Sequence, residues 1–306
     1  MKVITSGPVY LDIDGYGGMI AYAELLNQQG IEAVAASTAP LNESVSKTVR
    51  TWPVELVTDY RPSPDDEYVL IDVSEPEFFD RFVVQDRVTG VIDHHPGLEE
   101  YWHQKIGERA TIEFIGAACT LVFERWQAAE LLDKMSTTSA RLLLCGILDN
   151  TLNFGAKVTT DRDRQAYEAL KPIAKLSDDW TAQYFQECQA AILVDPKAAV
   201  DNDTKVLDLK TSVQPIRVGQ LVIWEAGPVL EQYSNVIAET LSANHSDWFL
   251  NLVSVGEGRS YFYSGSAAAQ KWLTDTLGVT FESDVAAADR LWLRKEIIKA
   301  DIERAG

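Results

Sequence analysis

The densest chemistry-bearing run in the chain is Asp93-His94-His95-Pro96, directly behind the apolar Gly90-Val91-Ile92. A carboxylate and two imidazoles at a strand end offer metal ligands or proton-transfer groups. The chain has 4 histidines, and two of them stand here. A hydrogen-bonded polar turn would use the same residues, so the run gains meaning from three further acidic sites. Asp12-Ile13-Asp14-Gly15-Tyr16-Gly17-Gly18 follows the strand-like Val9-Tyr10-Leu11. Alternation along an extended segment would turn Asp12 and Asp14 toward one cavity. The glycines would admit backbone N–H groups to an anion, although an Asp-Gly turn into a capped helix is the plain alternative. Asp72 ends the apolar run 68–71, and Asp149 lies in Gly146-Ile147-Leu148-Asp149-Asn150-Thr151 where a helix passes into a loop. Mixed carboxylate–imidazole sets suit manganese, cobalt, zinc or magnesium.

These residues need elements to hold them. Strand-like runs at 9–11, 31–36, 54–57, 68–71 and 90–92 alternate with helical patterns at 19–26, 117–131 and 138–148. The alternation predicts an α/β fold whose N-terminal sheet is mostly parallel and flanked by helices, with ligands bound beyond the strands' carboxyl ends. Pro172 punctuates the chain, a helix is expected at 180–191, and residues 191–204 read as a polar, then acidic linker. Strands at 206–209 and 219–224, a helix at 229–243, a hairpin of 248–255 with 260–264, and a last helix at 267–277 predict a second, smaller α/β domain. The expected domains are therefore 1–190 and 205–306.

Composition narrows the class. Lys+Arg is 27 and Asp+Glu is 46, a net charge of −19. Such a surface does not attract polyanions in general, so broad nucleic-acid binding is not expected. An anionic substrate would need cations gathered at its site. No apolar run approaches the length of a membrane span, and no basic leader precedes an apolar segment, so no membrane association is expected. Three cysteines, Cys119, Cys145 and Cys188, are too few for a disulfide framework and point to a reduced, cytoplasmic protein. Gly256-Glu257-Gly258 reads as a hairpin turn rather than a phosphate loop. Gly116-Ala117-Ala118-Cys119-Thr120 opens a helix that could either present N–H donors to phosphate or pack tightly.

In this order, Asp12-Ile13-Asp14, Asp72, Asp93-His94-His95 and Asp149 resemble the four N-terminal motifs of the DHH phosphoesterase superfamily. The second half resembles the DHHA2-type C-terminal domain of its pyrophosphatase and exopolyphosphatase branch. There Lys205 matches a phosphate-binding lysine, and Leu293-Arg294-Lys295-Glu296 matches the Arg-Lys signature of manganese-dependent (family II) inorganic pyrophosphatases. The resemblance implies two divalent cations, manganese first, with magnesium or cobalt as alternatives. It implies that Asp12 and Asp72 bind one cation and that Asp14, Asp72, His94 and Asp149 bind the other. Asp93 would orient a histidine. His95, Lys205, Arg294 and Lys295 would contact substrate, and Asp14, Asp93 and His95 form the implied catalytic set. The implied reaction is hydrolysis of pyrophosphate or short polyphosphate by a water activated between two metals. The partner is then a small phosphorylated substrate, with a homodimer one open oligomeric state.

Two positions depart from that pattern. Pro8 stands where the pyrophosphatases carry a histidine ligand, and Glu296 stands where a basic residue is usual. Two other readings stay open: a phosphodiesterase on short oligonucleotides or cyclic dinucleotides, and a phosphate- or metal-binding homologue with weakened turnover. The Gly-Gly-Gly-His run of the phosphodiesterase branch is absent from this sequence.

Overall fold

The computed structural model describes residues 1–305. The chain divides into two compact units, Met1–Thr181 and Ala182 onward. The boundary falls earlier than the 191–204 segment expected to be a linker. Part of that segment forms a helix, α7, at Pro196–Asn202, started by Asp195, whose carboxylate accepts the Ala198 N–H at 3.0 Å.

The first unit is built on five parallel strands in the order β2-β1-β3-β4-β5. These are β1 (Lys2–Thr5), β2 (Ala33–Ala35), β3 (Glu67–Ile71), β4 (Val88–Asp93) and β5 (Ala110–Ile112). Val3 pairs with both Val34 and Tyr68, and Leu70 and Ile71 pair with Val91 and Ile92. Tyr68, Leu70 and Ile71 are all fully buried, because a parallel strand covered on both faces reads as a continuous apolar run. One face packs with Trp102 of α2 (Glu99–Ile106). The remaining helices of this unit are α1 (Ile13–Gln28), α3 (Ala118–Ala128), α4 (Thr137–Asn150) and α5 (Asp161–Ala174). Helix α6 (Trp180–Ile192) carries the boundary between the units.

The second unit is a six-stranded mixed sheet, β10-β11-β9-β8-β7-β6. Its strands are β6 (Thr204–Leu207), β7 (Ile216–Ile223), β8 (Trp248–Ser254), β9 (Arg259–Tyr263), β10 (Phe281–Glu282) and β11 (Val285–Ala287). Only β7 and β8 run parallel, joined through α8 (Ala226–Ser242); α9 (Ala267–Leu277) and α10 (Arg294–Ala305) complete the unit. Side chains alternate along β8, so Leu250 and Leu252 join the core containing Val229 and Leu241, while Phe249 joins Trp272 and Ile297. The α/β class, the parallel first sheet and the second, smaller domain match the expectation.

Several local expectations change. The strand placed at 9–11 lies instead at Lys2–Thr5; Val9 and Tyr10 are 69% and 56% exposed, and Leu11 makes only an isolated bridge to Leu41. Gly7-Pro8 interrupts any extended run between them. Residues 54–57 contribute a single bridge, Val57 to Ala36. Pro172 does not end its segment but sits in the last turn of α5. A further helix, α10, follows the one expected to be last, and β5, β10 and β11 were too short to stand out as periodic runs. Among the described residues, no helix is long and apolar enough to cross a membrane.

Candidate metal centre

The site forms where β3 and β4 end and α1 begins. Helix α1 starts at Ile13, so Asp12 and Asp14 are not alternate residues of a strand. Asp12 is the N-cap, its Oδ1 accepting the Gly15 N–H at 2.9 Å. Asp14 lies in the first turn and is buried, its two oxygens accepting the N–H groups of Ala118 and Cys119, both at 2.8 Å. The N-terminal donors of α3 are therefore committed to Asp14 and not held out to a phosphate.

Asp72 follows β3 with φ at 61°, in the left-handed region that costs a residue with a side chain about 1 kcal/mol or more. Its N–H still donates to Ile92 O at 2.9 Å, so the sheet holds the turn in place. The Asp72 Oδ1 atom is buried without a hydrogen-bond donor, 3.3 Å from His94 Nε2 and 3.7 Å from His95 Nδ1. An ideal Cβ on Gly15 would lie 3.5 Å from Asp12 Oδ1 and 3.6 Å from Asp72 Oδ2, which places both carboxylates beside the same glycine.

The two histidines are oriented from behind. Ile115 O faces His94 Nδ1 at 3.1 Å, so Nδ1 carries the proton in the neutral ring and Nε2 turns its lone pair toward Asp72 and toward Asp14 Oδ2, 3.8 Å away. His95 Nδ1 donates to Asp93 Oδ1 at 2.9 Å, which leaves its Nε2 free of that bond on a side chain that is 62% exposed. The same Asp93 oxygen accepts the N–H groups of His94 and His95 at 2.8 and 3.2 Å, fixing the turn on which both rings stand. The rings meet edge to face at 4.5 Å.

Buried carboxylates and imidazoles crowd together here and shift one another. Burial and the neighbouring Asp12 charge push the Asp72 carboxyl up to about 7. Burial, then Asp14, raises Asp12 as well. Burial opposes charge on His94, but the Asp72 and Asp14 carboxylates outweigh it and raise the ring to about 10. The Asp93 bond raises His95. Burial pushes the Asp93 carboxyl up, but the His95 bond and charge, the Ser74 hydroxyl and the His94 charge together bring it below its ordinary value.

Among the described residues, Asp72, His94 and His95 each offer a ligand atom within 4.8 Å of one another. A buried Asp72 oxygen 3.3 Å from His94 Nε2, a nitrogen that would give up its proton to bind a metal, fits a divalent first-row cation. Asp14 borders this group. Asp149 lies in the last turn of α4, one turn beyond Gly146. An ideal Cβ on Gly146 would be 2.5 Å from Cys119 Sγ and 3.0 Å from Asp14 Oδ1, so only glycine allows α4 to pass this close to the centre.

Lys205, Arg294 and Lys295 belong to the second unit, on β6 and the first turn of α10. The Arg294 guanidinium pairs with the Asp203 carboxylate and donates to Asp203 O at 2.8 Å, while Arg294 N donates to Gln220 Oε1 at 2.7 Å. Glu296 is occupied locally. Its Oε2 accepts the Leu293 N–H at 2.8 Å and its Oε1 lies 3.2 Å from Arg290, so the carboxylate caps α10. Sequence reasoning missed Ile115 O, a backbone group with no residue-type signature, and Asp203, whose position two residues before Lys205 was the available clue.

No protein-family profile matches the chain. A protein of Deinococcus radiodurans named "Probable manganese-dependent inorganic pyrophosphatase" is 26% identical over 311 residues, covering 94% of this chain and 93% of its own length. The crystal structure of a Methanococcus jannaschii protein titled "putative family II inorganic pyrophosphatase" superposes with a TM-score of 0.65 at 18% identity, over 100% of this chain and 99% of that one. An "exopolyphosphatase-related protein" from Bacteroides fragilis gives a TM-score of 0.54 at 15% identity, over 99% and 91%. The chain thus shares the α/β fold of these two solved structures.

Proposed function

We propose that the chain is a metal-dependent phosphohydrolase that cleaves the phosphoanhydride bond of pyrophosphate or a short polyphosphate. The observation carrying this reading is the buried Asp72 oxygen, without a donor, set against His94 Nε2 at the carboxyl ends of parallel strands. The names of the full-length relatives support the same reaction class. Asp12 and Asp72 would hold one divalent cation; Asp14, Asp72, His94 and Asp149 would hold the second, with manganese the first choice. Bound there, the cations supply Lewis acidity toward phosphoryl oxygens and acidify water at neutral pH.

The chain's own residues do the rest. Asp93 fixes the His95 ring and shifts its pKa upward, and His95 Nε2 would hold a phosphate oxygen and stabilise charge leaving with it. Lys205, Arg294 and Lys295 supply the positive charge that the polyanion needs and that a chain of net −19 does not otherwise offer. The Pro8 side chain has no ligand atom, so the first cation would be held by fewer side chains than in the pyrophosphatases that carry histidine there. The Glu296 carboxylate is spent on Leu293 and Arg290, which limits its repulsion of substrate.

Purified protein with manganese, cobalt or magnesium, assayed against pyrophosphate, tripolyphosphate and a dinucleotide, tests the reading. Phosphate release from either of the first two supports it. Nucleotide release alone would point to a phosphodiesterase, and no release with tight metal binding to a homologue that only binds.

A further inference from the structure

Behind the candidate ligands lies a carboxylate that the reading above does not use. Asp163 is fully buried in the first turn of α5. Its Oδ2 accepts the Thr160 N–H at 2.7 Å and the Thr160 hydroxyl at 2.8 Å, which closes the helix's capping box. The same oxygen also accepts the Gly116 N–H at 3.2 Å, and Oδ1 accepts the Thr120 hydroxyl at 2.6 Å. A cap needs only the local pair. The other two bonds reach back to residues 116–120, the segment that enters α3.

That segment orients the metal centre. It follows Ile115, whose carbonyl sets the His94 tautomer, and it contains Ala118 and Cys119, whose N–H groups hold Asp14. It is also wedged tightly, since an ideal Cβ on Gly116 would fall 2.6 Å from Thr151 Cγ2 and 2.7 Å from Asp163 Oδ2. Thr151 is the C-cap of α4, the helix that carries Asp149. Asp163 therefore anchors the strip through which His94 and Asp14 are held and against which the end of α4 rests.

We propose that Asp163 is a positioning residue of the metal centre, acting through the 115–119 segment and not by contact with a cation. The proposal rests on the metal-centre reading above. Because its partners are neutral N–H and O–H groups, Asp163 acts as an acceptor, so an amide that keeps one carbonyl oxygen should replace much of it.

The test is Mn2+ affinity by electron paramagnetic resonance and the visible spectrum of the Co2+-loaded protein, on the full chain. Asp163→Ala should weaken Mn2+ binding by about ten-fold, the scale for residues that orient ligands, and should alter the Co2+ spectrum. Asp163→Asn should recover most of both, and Thr120→Val, which deletes one hydroxyl, should give a smaller change in the same direction. Ser266→Ala, which removes the N-cap of α9 in the second unit, serves as a control for general destabilisation and should leave both readouts unchanged. Folded Asp163→Ala, or Thr120→Val if the first does not fold, with wild-type affinity and spectrum overturns the proposal, as does an equal loss in Ser266→Ala. A wild-type chain that binds no Mn2+ overturns the metal-centre reading itself and this proposal with it.

Discussion

Asp203 grips Arg294 twice, through its carboxylate and its own backbone carbonyl, and so ties the edge strand β6 to the first turn of α10. Burial raises the Asp203 carboxyl even though the guanidinium pulls the other way. Arg294 is largely enclosed whereas Asp203 is 44% exposed, so solvent screens part of the pair. Asp203→Ala should destabilise the protein by about 1 kcal/mol and raise KM for pyrophosphate, because Arg294 loses its fixed direction. Urea unfolding at constant m-value and steady-state kinetics measure the two effects.

The metal-free centre should respond to pH in a defined direction. Asp72 is raised from 3.8 to about 7 and His94 from 6.5 to about 10, so the folded chain holds more protons than the unfolded one across that span. The stability that protonated His94 contributes is complete below 6.5 and is lost as pH rises toward 10. The cost of ionising buried Asp72 adds a loss of the same sign between 3.8 and 7. The metal-free melting temperature should therefore fall from pH 6 to pH 9, while Mn2+ affinity climbs and binding releases protons. Thermal melts with chelator, and calorimetry in two buffers of different ionisation enthalpy, check both.

Glu296 departs from the basic residue usual in the pyrophosphatase signature, and its role as a cap gives that departure a testable meaning. Glu296→Ala should cost about 1 kcal/mol through the lost cap. If the carboxylate is neutralised as its contacts indicate, KM for pyrophosphate should change less than two-fold. Denaturant unfolding and a substrate titration read these separately.

Gly146 offers a steric probe of the ligand set. Gly146→Ala places a methyl group against Cys119 and Asp14 and should destabilise the fold by about 1–3 kcal/mol while weakening metal binding. Asp149→Ala, one turn further, should abolish hydrolysis with the circular-dichroism spectrum intact. An Asp149→Ala enzyme with near-native rates would place the reaction elsewhere.

Much of this architecture was legible because apolar runs ended in aspartates. Buried parallel strands such as Glu67–Ile71 are uniformly apolar, so their ends are sharp in the sequence. The N-terminal motif was harder. The first strand is only four residues long and stops before Gly7-Pro8, whereas the more apolar Val9-Tyr10-Leu11 lies in a loop. Asp12 and Asp14 sit at a helix start and not in a strand; the first caps the helix and the second crosses to α3. Helix α10 was overlooked because only Ile297 and Asp301 along it are buried, which leaves little periodicity to detect. Asp163 reads as an ordinary cap in one dimension. Its second pair of bonds spans more than 40 residues, a distance no local pattern encodes.

The left-handed backbone at Asp72 shapes how this centre can be dissected. After glycine, asparagine and aspartate tolerate that conformation best, whereas alanine there would confound a missing carboxylate with a rebuilt turn. Asp72→Asn is therefore the exchange that removes the charge and one ligand oxygen while keeping the turn, and a larger defect in Asp72→Ala would measure the peptide's own share in shaping the cavity.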